Sequence, residues 1–488
     1  MKKILPWVIC CYSAAAWAGG FEYPDNGTEA LGRGATFTAK ADSPLALEYN
    51  IAGLARQRGT NLLVDLNVPF NTYDFTRDGV YPSGPSSSPQ PAYVGQRYPT
   101  VHNGGSLYAA PFIGLTTDFN KFDRWTFAFG LYGPSAIATR DYPVSVTTAN
   151  GASAPGPSRY DLLQADLLVL YPTLAAAVRV NKWFDVGLAV HLVVGTFKLS
   201  NATFTAIGAG LCPPDFGNCD PVAKLDLTGY TATVSLGAMF RPMRSLQFGL
   251  NLRAPFTISA DGTVTATPPT SQTKLQIDPA AASFTTHFPL VLRVGARYIF
   301  YKNDFELADI EFNGIYEGWG QFTEEGGDQI SIPQLGPYTM GVSPFIAHHY
   351  KDTFGARLGG AYNLKLPKGV LTFRLGIFYD SAATLKRDPR LDADTMDKIG
   401  TTAGLGYKIR GITINAAYAY IWSPDRTVTN GEIRSADANN GGQNVDINGV
   451  PLPVVNNGKY HAETQILSVG LTIAWNELLK KQRVIHYQ

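Results

Sequence analysis

Apolar residues alternate with polar or small ones along most of this chain. The alternation falls into about fourteen segments of roughly ten residues or more, the length that tilted membrane-crossing strands need. They lie near 60–73, 105–119, 124–135, 170–180, 184–204, 224–240, 245–262, 288–301, 303–316, 351–364, 370–380, 398–409, 411–423 and 462–475. Successive strand side chains point to opposite faces, so each segment has one apolar face and one small or polar face. Trp125, Phe127, Phe129 and Leu131 share a side against Thr126, Ala128 and Gly130. Val186, Leu188, Val190, Leu192 and Val194 are backed by Gly187, Ala189, His191 and Gly195. Leu246, Phe248, Leu250 and Leu252 oppose Gln247, Gly249, Asn251 and Arg253. Aromatic residues gather near segment ends, at Tyr298, Tyr301, Tyr418, Trp422 and Trp475, as interfacial girdles do.

The connections alternate in length as well. Short turns are predicted at 120–123, 181–184, 241–244, 301–303, 365–369 and 410–411. Long loops rich in Gly, Pro, Ser and Asn fill the other gaps, among them 74–104, 136–169, 317–350 and 424–461. That rhythm predicts an all-β fold, a closed transmembrane antiparallel β-barrel of about 14 strands. Backbone in lipid must be fully paired, and closure is the way strands achieve it. Past the leader the chain has no run of about 18 apolar residues, so helical spans are not expected.

Composition narrows the partners. A net charge of +1 with 16% charged residues gives no reason to expect nucleic acid. Residues 1–18 read as a signal peptide, with Lys2 and Lys3, an apolar stretch at 4–11, and Ala16 and Ala18 flanking Trp17 at the cleavage site. Beyond it only Cys212 and Cys219 remain, in a Pro/Gly/Asp-rich loop, and the exported setting predicts one disulfide between them. No nucleophile elbow, zincin helix or phosphate loop occurs, so no enzyme and no cofactor are expected. Asp388, Asp392, Asp394 and Asp397 lack the glycine pivot and terminal glutamate of a calcium loop, and no metal is expected there. The His348–His349 pair reads as exposed surface in a loop.

One stretch fits none of the strands. Residues 31–55, LGRGATFTAKADSPLALEYNIAGLA, are rich in small residues and show no sustained period of two. Glycine at such density suits backbone that passes close to other backbone. The segment resembles the hatch of the FadL/TodX family of outer-membrane transporters for hydrophobic compounds. Leu31, Gly32, Gly34, Asp42, Ala46, Asn50, Ala52, Gly53 and Leu54 match its pattern, and Ile51 stands where the family usually has proline. The resemblance implies a hatch at 19–58 and a barrel at 59–475, after which Lys480, Lys481 and Arg483 mark 476–488 as a basic tail expected in the periplasm. Gly130 and Pro134 match the family's third strand, where a kink at Gly133 and Pro134 implies a lateral gap in the wall; the alternative is a strand end entering its loop. Further matches fall at Asp309, Trp319 and Phe322, and at Arg374, Gly376, Tyr379 and Asp380.

The function that follows is passive uptake of hydrophobic molecules by a multi-pass protein of the bacterial outer membrane, expected to be a monomer among lipid and lipopolysaccharide. Ligand, a fatty acid or an aromatic hydrocarbon, is expected to be captured by the loops, bound next to the hatch and released sideways. Segments 162–170, 280–284 and 450–455 are apolar candidates for the capture groove. Arg293, Arg357 and Arg374 are candidate lumen contacts for a carboxylate by bidentate pairing. They are equally able to brace the barrel against Glu306 or Asp380. The alternative from another class is a surface barrel acting as an adhesin or interaction protein without transport.

Overall fold

The structure is a computed structural model. It describes residues 26–83, 90–106, 109–133, 139–202, 220–267, 278–322, 328–332, 345–346, 349–392, 395–435, 449 and 451–479. The wall is a closed antiparallel barrel of fourteen strand positions. In chain order they are β1 (Thr60–Arg77), β2 (Ala110–Thr117), β3 (Trp125–Tyr132), β4 (Gln164–Arg179), β5 (Phe184–Ala202) and β6 (Val222–Met243). Next come β7 (Leu246–Arg253, continuing as Phe256–Thr267) and β8 (Ala280–Phe288, continuing as Val291–Lys302). The rest are β9 (Phe305–Glu317), β10 (Thr353–Leu366), β11 (Gly369–Asp380), β12 (Lys398–Ile409), β13 (Ile412–Val428) and β14 (Gly458–Ala474). Each pairs with its sequence neighbour, and β14 closes on β1 from Asn61↔Ala474 to Arg77↔Gly458.

The short turns sit where the sequence places them. Asn303 with Asp304, and Arg410 with Gly411, take positive φ at both central positions, the geometry that matches the twist of the flanking strands. Several boundaries differ from expectation. β2 begins at Ala110 rather than near 105, and β4 starts at Gln164 rather than near 170. Most of 162–170 and all of 280–284 are therefore strand and not loop. Ala165, Val169, Ala282 and Phe284 are buried on the inward face while Leu168 and Ala281 are exposed, a division that a loop would not show.

The outer face is apolar in the lower barrel, the end with the short turns. Leu188, Val190, Leu192, Leu236, Phe248, Leu250, Phe312 and Leu375 are exposed, while the alternate positions Asp185, Ala189, His191, Asn251, Arg253 and Glu311 are buried. Higher up, the same strands exchange chemistry between their faces. On β5 the outward row runs into Thr196 and Lys198 while the inward row becomes Val193 and Phe197. On β6 it runs into Thr228, Asp226 and Lys224 outside, with Leu227 and Leu225 inside.

β7 and β8 make the exchange differently. Ala254 and Pro255 interrupt β7 opposite Pro289 and Leu290 on β8, with Arg253↔Val291 below the break and Phe256↔Phe288 above it. Pro255 and Pro289 have no N–H to give the ladder, so pairing must skip them. Arg253 and Phe256 both face inward, as do Val291 and Phe288, so each break reverses which alternate set points in.

Residues 26–58 lie inside the lower barrel. They fold as two single helical turns, Thr28–Leu31 and Ala46–Tyr49, and a 3-10 turn, Ile51–Arg56. Most of them are buried, including Leu31, Arg33, Phe37, Leu45 and Ile51.

Candidate functional site

The N-terminal segment is seated by glycines on both partners. A Cβ at Gly32 would lie 2.8 Å from the Cα of Gly404, and one at wall residue Gly237 would lie 2.5 Å from Asn50 Oδ1. Gly34 needs its glycine twice over, for a φ of +69° and for its approach to Gly376. Asn50 caps the 3-10 turn by accepting from Ala52 N–H, and donates to the carbonyls of Thr38 and Ala238. Ile51, in the place of the family's proline, keeps an N–H that points at Asn251 Oδ1, 3.5 Å away.

Wall side chains replace the hydrogen bonds that this irregular backbone cannot make to itself. Four consecutive N–H groups are taken by two inward residues of β9: Phe37 and Thr38 donate to Asn313 Oδ1 at 3.1 and 3.2 Å, and Ala39 and Lys40 to Glu311 at 2.8 and 3.1 Å. Arg33 reaches Asp309 at 2.7 Å with both side chains fully buried. Arg297 also pairs with Asp309 and with Glu306. Thr28 donates to Asp65 through its N–H and its hydroxyl. Burial pushes the Glu29 carboxyl up, but Lys40, Arg374 and Arg33 more than offset it and hold it at about 2. Opposite charges at such range favour the ionised form, and buried pairs are spared most salt screening.

The three arginines proposed as ligand contacts are all engaged in this seat or in the wall. Arg293 pairs with Glu48 at 2.7 Å, Arg357 with Asp380 at 3.2 Å, and Arg374 with Glu29 at 3.2 Å and Asn415 at 3.0 Å. Beneath the seat, at the short-turn end, a hollow of about 610 Å3 is lined by Lys40, Asp42, Arg56, Glu306, Lys408 and Glu477 among others. Most of its lining residues are charged or carry amides or hydroxyls.

Above the seat the interior is apolar. Phe197, Leu225, Leu227, Ile258, Val264 and Phe284 form one buried cluster with residues of the N-terminal segment. A row of rings crosses it. Tyr350 meets Trp319 at 5.4 Å between ring centres, Trp319 meets Phe288 at 6.5 Å, and Phe288 stacks on Phe256 at 4.7 Å. Phe256 then meets Tyr171 at 6.1 Å, Tyr171 meets Tyr132 at 5.9 Å, and Tyr132 stacks on Phe112 at 4.8 Å. These are ordinary aromatic contact distances, so the row is continuous. His191 lies beside it, bonded to Thr173 and Ser235 at 2.8 Å each.

The row ends at the upper ends of β2 and β3. β1 pairs with β2 only from Thr60 to Asn67, and β3 pairs with β4 only up to Tyr132↔Tyr171. Above that hairpin the described residues give no ladder pairs for the facing edges of 68–72 on β1 and 166–170 on β4, and Tyr73 accepts from Asn103 N–H at 3.0 Å. Pro69, Pro111 and Pro172 lie around these edges, in keeping with proline's confinement to edges and bulges. Gly130 is paired on both sides, to Gly114 and to Thr173, so the ladder does not break there. The Gly133 carbonyl accepts from Asn26 Nδ2 at 2.9 Å. Pro134 lies outside the described residues, as do Cys212, Cys219, His348, Asp394 and Val450, the leader at 1–18 and residues 480–488.

Other candidates fall elsewhere. His349 bonds Asp388, Arg390 pairs with Asp392, and Asp397 accepts from Ala382 N–H, all in the loops. Among the described residues no group of three metal-ligating side chains comes together. Sequence reading missed Asp65, Glu311, Asn313 and the aromatic row. The alternation on β9 does place Asp309, Glu311 and Asn313 on one face, opposite Ile310 and Phe312. A polar triplet on a lumen face was the available signal.

The fold is that of solved transporters. A Pseudomonas aeruginosa FadL homologue superposes with a TM-score of 0.73 at 16% identity, covering 93% of this chain and 100% of the other. The Ralstonia pickettii toluene transporter TbuX gives 0.60 at 15% identity, covering 92% and 98%, and the P. putida toluene transporter TodX gives 0.60 at 14%, covering 92% and 99%. No curated protein sequence matches the chain. The model of one family, described as outer membrane protein transport protein (OMPP1/FadL/TodX), matches residues 9–472. That is nearly the whole chain, and the protein therefore belongs to this family of the outer membrane.

Proposed function

We propose that the protein carries neutral hydrophobic molecules, aromatic hydrocarbons first among them, from the cell exterior into the outer membrane. One observation carries the reading: the upper barrel is greasy inside and polar outside, and its ring-lined interior leads to Phe112 and Tyr132 at the upper ends of β2 and β3. An apolar ligand gains free energy wherever it leaves water, so a chamber lined with Phe197, Ile258 and Phe288 would collect it. Residues 26–58 act as a plug. The hollow beneath them is lined mainly by charged and polar residues and suits such a ligand less than the chamber does, which favours sideways release between β1 and β4 over passage straight down.

Two further points support a neutral ligand. Arg293, Arg357 and Arg374 already meet carboxylates or hatch groups, so recruiting one for a fatty acid would strand its present partner. The solved relatives TbuX and TodX are named as toluene transporters. The leader at 1–18, the disulfide between Cys212 and Cys219, and the tail at 476–488 belong to the same proposal.

The test is uptake by cells or vesicles carrying the protein, using labelled toluene and labelled dodecanoate. Toluene uptake above the empty-membrane rate, with dodecanoate at that rate, is the expected result. Uptake of neither would favour a surface protein without transport. Replacing Pro134 with valine should restore a ladder hydrogen bond and slow toluene entry; unaltered entry would favour a route through the plug.

A further inference from the structure

The floor of the apolar chamber is a polar ledge. It crosses four neighbouring strands, through Thr173 on β4, His191 on β5, Ser235 on β6 and Arg253 on β7, all buried and facing inward. Thr173 lies opposite His191 in the β4–β5 ladder, and Ser235 opposite Arg253 in the β6–β7 ladder. Below the ledge, Gly187 and Gly237 of the wall abut Ile51 and Asn50 of the plug. Above it stand Val193 and Phe256 of the apolar cluster. The ledge therefore marks the level where the polar bore gives way to the apolar one.

The hydrogen bonds of the ledge fix where its protons point. Thr173 donates its hydroxyl proton to the Tyr171 carbonyl at 3.1 Å, so towards His191 it accepts. The 2.8 Å contact between them is therefore Nδ1–H donating to Thr173 Oγ1. Both partners of the imidazole are hydroxyls, with no charge to hold a second proton on the ring. Nε2 then carries a lone pair and accepts from the Ser235 hydroxyl at 2.8 Å. Ser235 spends its one proton on His191, while a hydroxyl oxygen also has two lone pairs. No described residue donates to that oxygen. Arg253 starts across the ladder from Ser235, and its guanidinium reaches the Tyr171 ring at 5.7 Å, so its positive charge lies along the ledge.

We propose that this ledge is a binding site for phenols, in which the hydroxyl of a monocyclic phenol donates to Ser235 Oγ while its ring packs against Tyr171 and Phe256. This rests on the reading that the chamber takes neutral aromatic ligands, and names the oxygenated class that it selects. The chemistry required is narrow. The ligand must donate, because the acceptor's own proton is committed to His191. An aryl ether has an oxygen but no proton to give, and a plain hydrocarbon has neither. The positive charge of Arg253 favours the electron-rich oxygen of a donating phenol at this end of the ligand. The rings above accept the other end, since Tyr171 and Phe256 meet edge to face at 6.1 Å and present apolar surface to the chamber. His191 acts through Ser235, as a positioning residue that decides which way the serine proton points.

The experiment titrates toluene, p-cresol and the methyl ether of p-cresol into the purified protein, for the parent, Ser235→Ala and His191→Phe. Folding is checked by heat-modifiable gel mobility. All three proteins share one detergent, so partition of the ligands into micelles cancels when their preferences are compared. The parent should favour p-cresol over its methyl ether, and Ser235→Ala should cut that preference about fivefold, the factor that one net hydrogen bond corresponds to. His191→Phe keeps a ring in place and releases the serine proton. Ser235 can then donate to the ether oxygen, so the methyl ether should gain on p-cresol. A merely structural role for Ser235 and His191 would weaken all three ligands together, leave the preference as it was and overturn the site. An unchanged preference in both variants, with toluene still bound by the parent, would overturn the site while leaving the proposed function standing. Binding of none of the three ligands by the parent would overturn both.

Discussion

The lower and upper halves of the barrel are built from the same strands with their faces exchanged. In the lower half Leu188, Leu236 and Leu250 face outward, and the bore is packed with polar contacts to residues 26–58. In the upper half Ser259, Asp261 and Lys198 face outward, and Phe197, Ile258 and Phe284 fill the bore. Lipid outside demands one arrangement and water outside demands the other, so the exchange marks where the barrel leaves the membrane. What each half encloses then follows. The lower bore, with its outer face already apolar, is free to hold charge and to seat residues 26–58. The upper bore becomes an apolar space, the one that the proposed function assigns to the ligand.

The largest break in this comparison should come from Asp309, which compensates both Arg33 and Arg297. Asp309→Ala leaves two buried guanidinium groups underpaired, and removing one partner of a buried pair costs about 3–5 kcal/mol. The plug should loosen, seen as ion conductance in planar bilayers and as protease cleavage within residues 26–58. The upper chamber should be untouched.

A pair of arginine substitutions tests the outer faces on one strand. Leu250→Arg should cost about 2–4 kcal/mol in a refolding titration, whereas Ser259→Arg on the upper part of β7 should cost near zero. Equal costs would place both positions in the same solvent and remove the distinction between halves.

A smaller effect is expected in the chamber. Phe256→Leu removes the parallel stack with Phe288, an interaction worth about 0.5–1.5 kcal/mol beyond area. Toluene binding to the purified protein should weaken by about threefold to tenfold, with plug conductance unchanged.

The smallest effect is one of acidity. The Glu29 carboxyl is held at about 2 against an ordinary 4.5, so its contribution is complete above about 4.5 and declines as pH falls towards 2. Plug conductance should stay flat from neutral pH to about 5 and rise below about 4, and Glu29→Gln should flatten that rise. A rise at higher pH would assign the sensitivity to another group.

Much of this molecule is legible in its amino-acid sequence. Strand number, turn order and the lower lipid-facing stripe follow from a period of two and from turn residues such as Arg410 and Gly411, because local geometry fixes both. The N-terminal segment stands out because glycine and alanine without alternation suit neither strand nor solvent. The inward face of β9 is equally readable as Asp309, Glu311 and Asn313. Which backbone groups those side chains serve is not, since the contacts join residues more than 270 positions apart.

Sequence alone therefore determined that a barrel forms and which face of its lower half meets lipid. Tertiary structure decided the rest. Even-numbered apolar positions run in phase from Leu246 to Leu252 and on through Phe256 and Ile258, which predicts one continuous outward stripe. Ala254 and Pro255, matched by Pro289 and Leu290 on the neighbouring strand, turn the upper set inward. Alternation records only that successive residues face opposite ways. Whether a given set faces lipid or the chamber depends on the missing N–H of two prolines brought side by side, and on which solvent lies at that height.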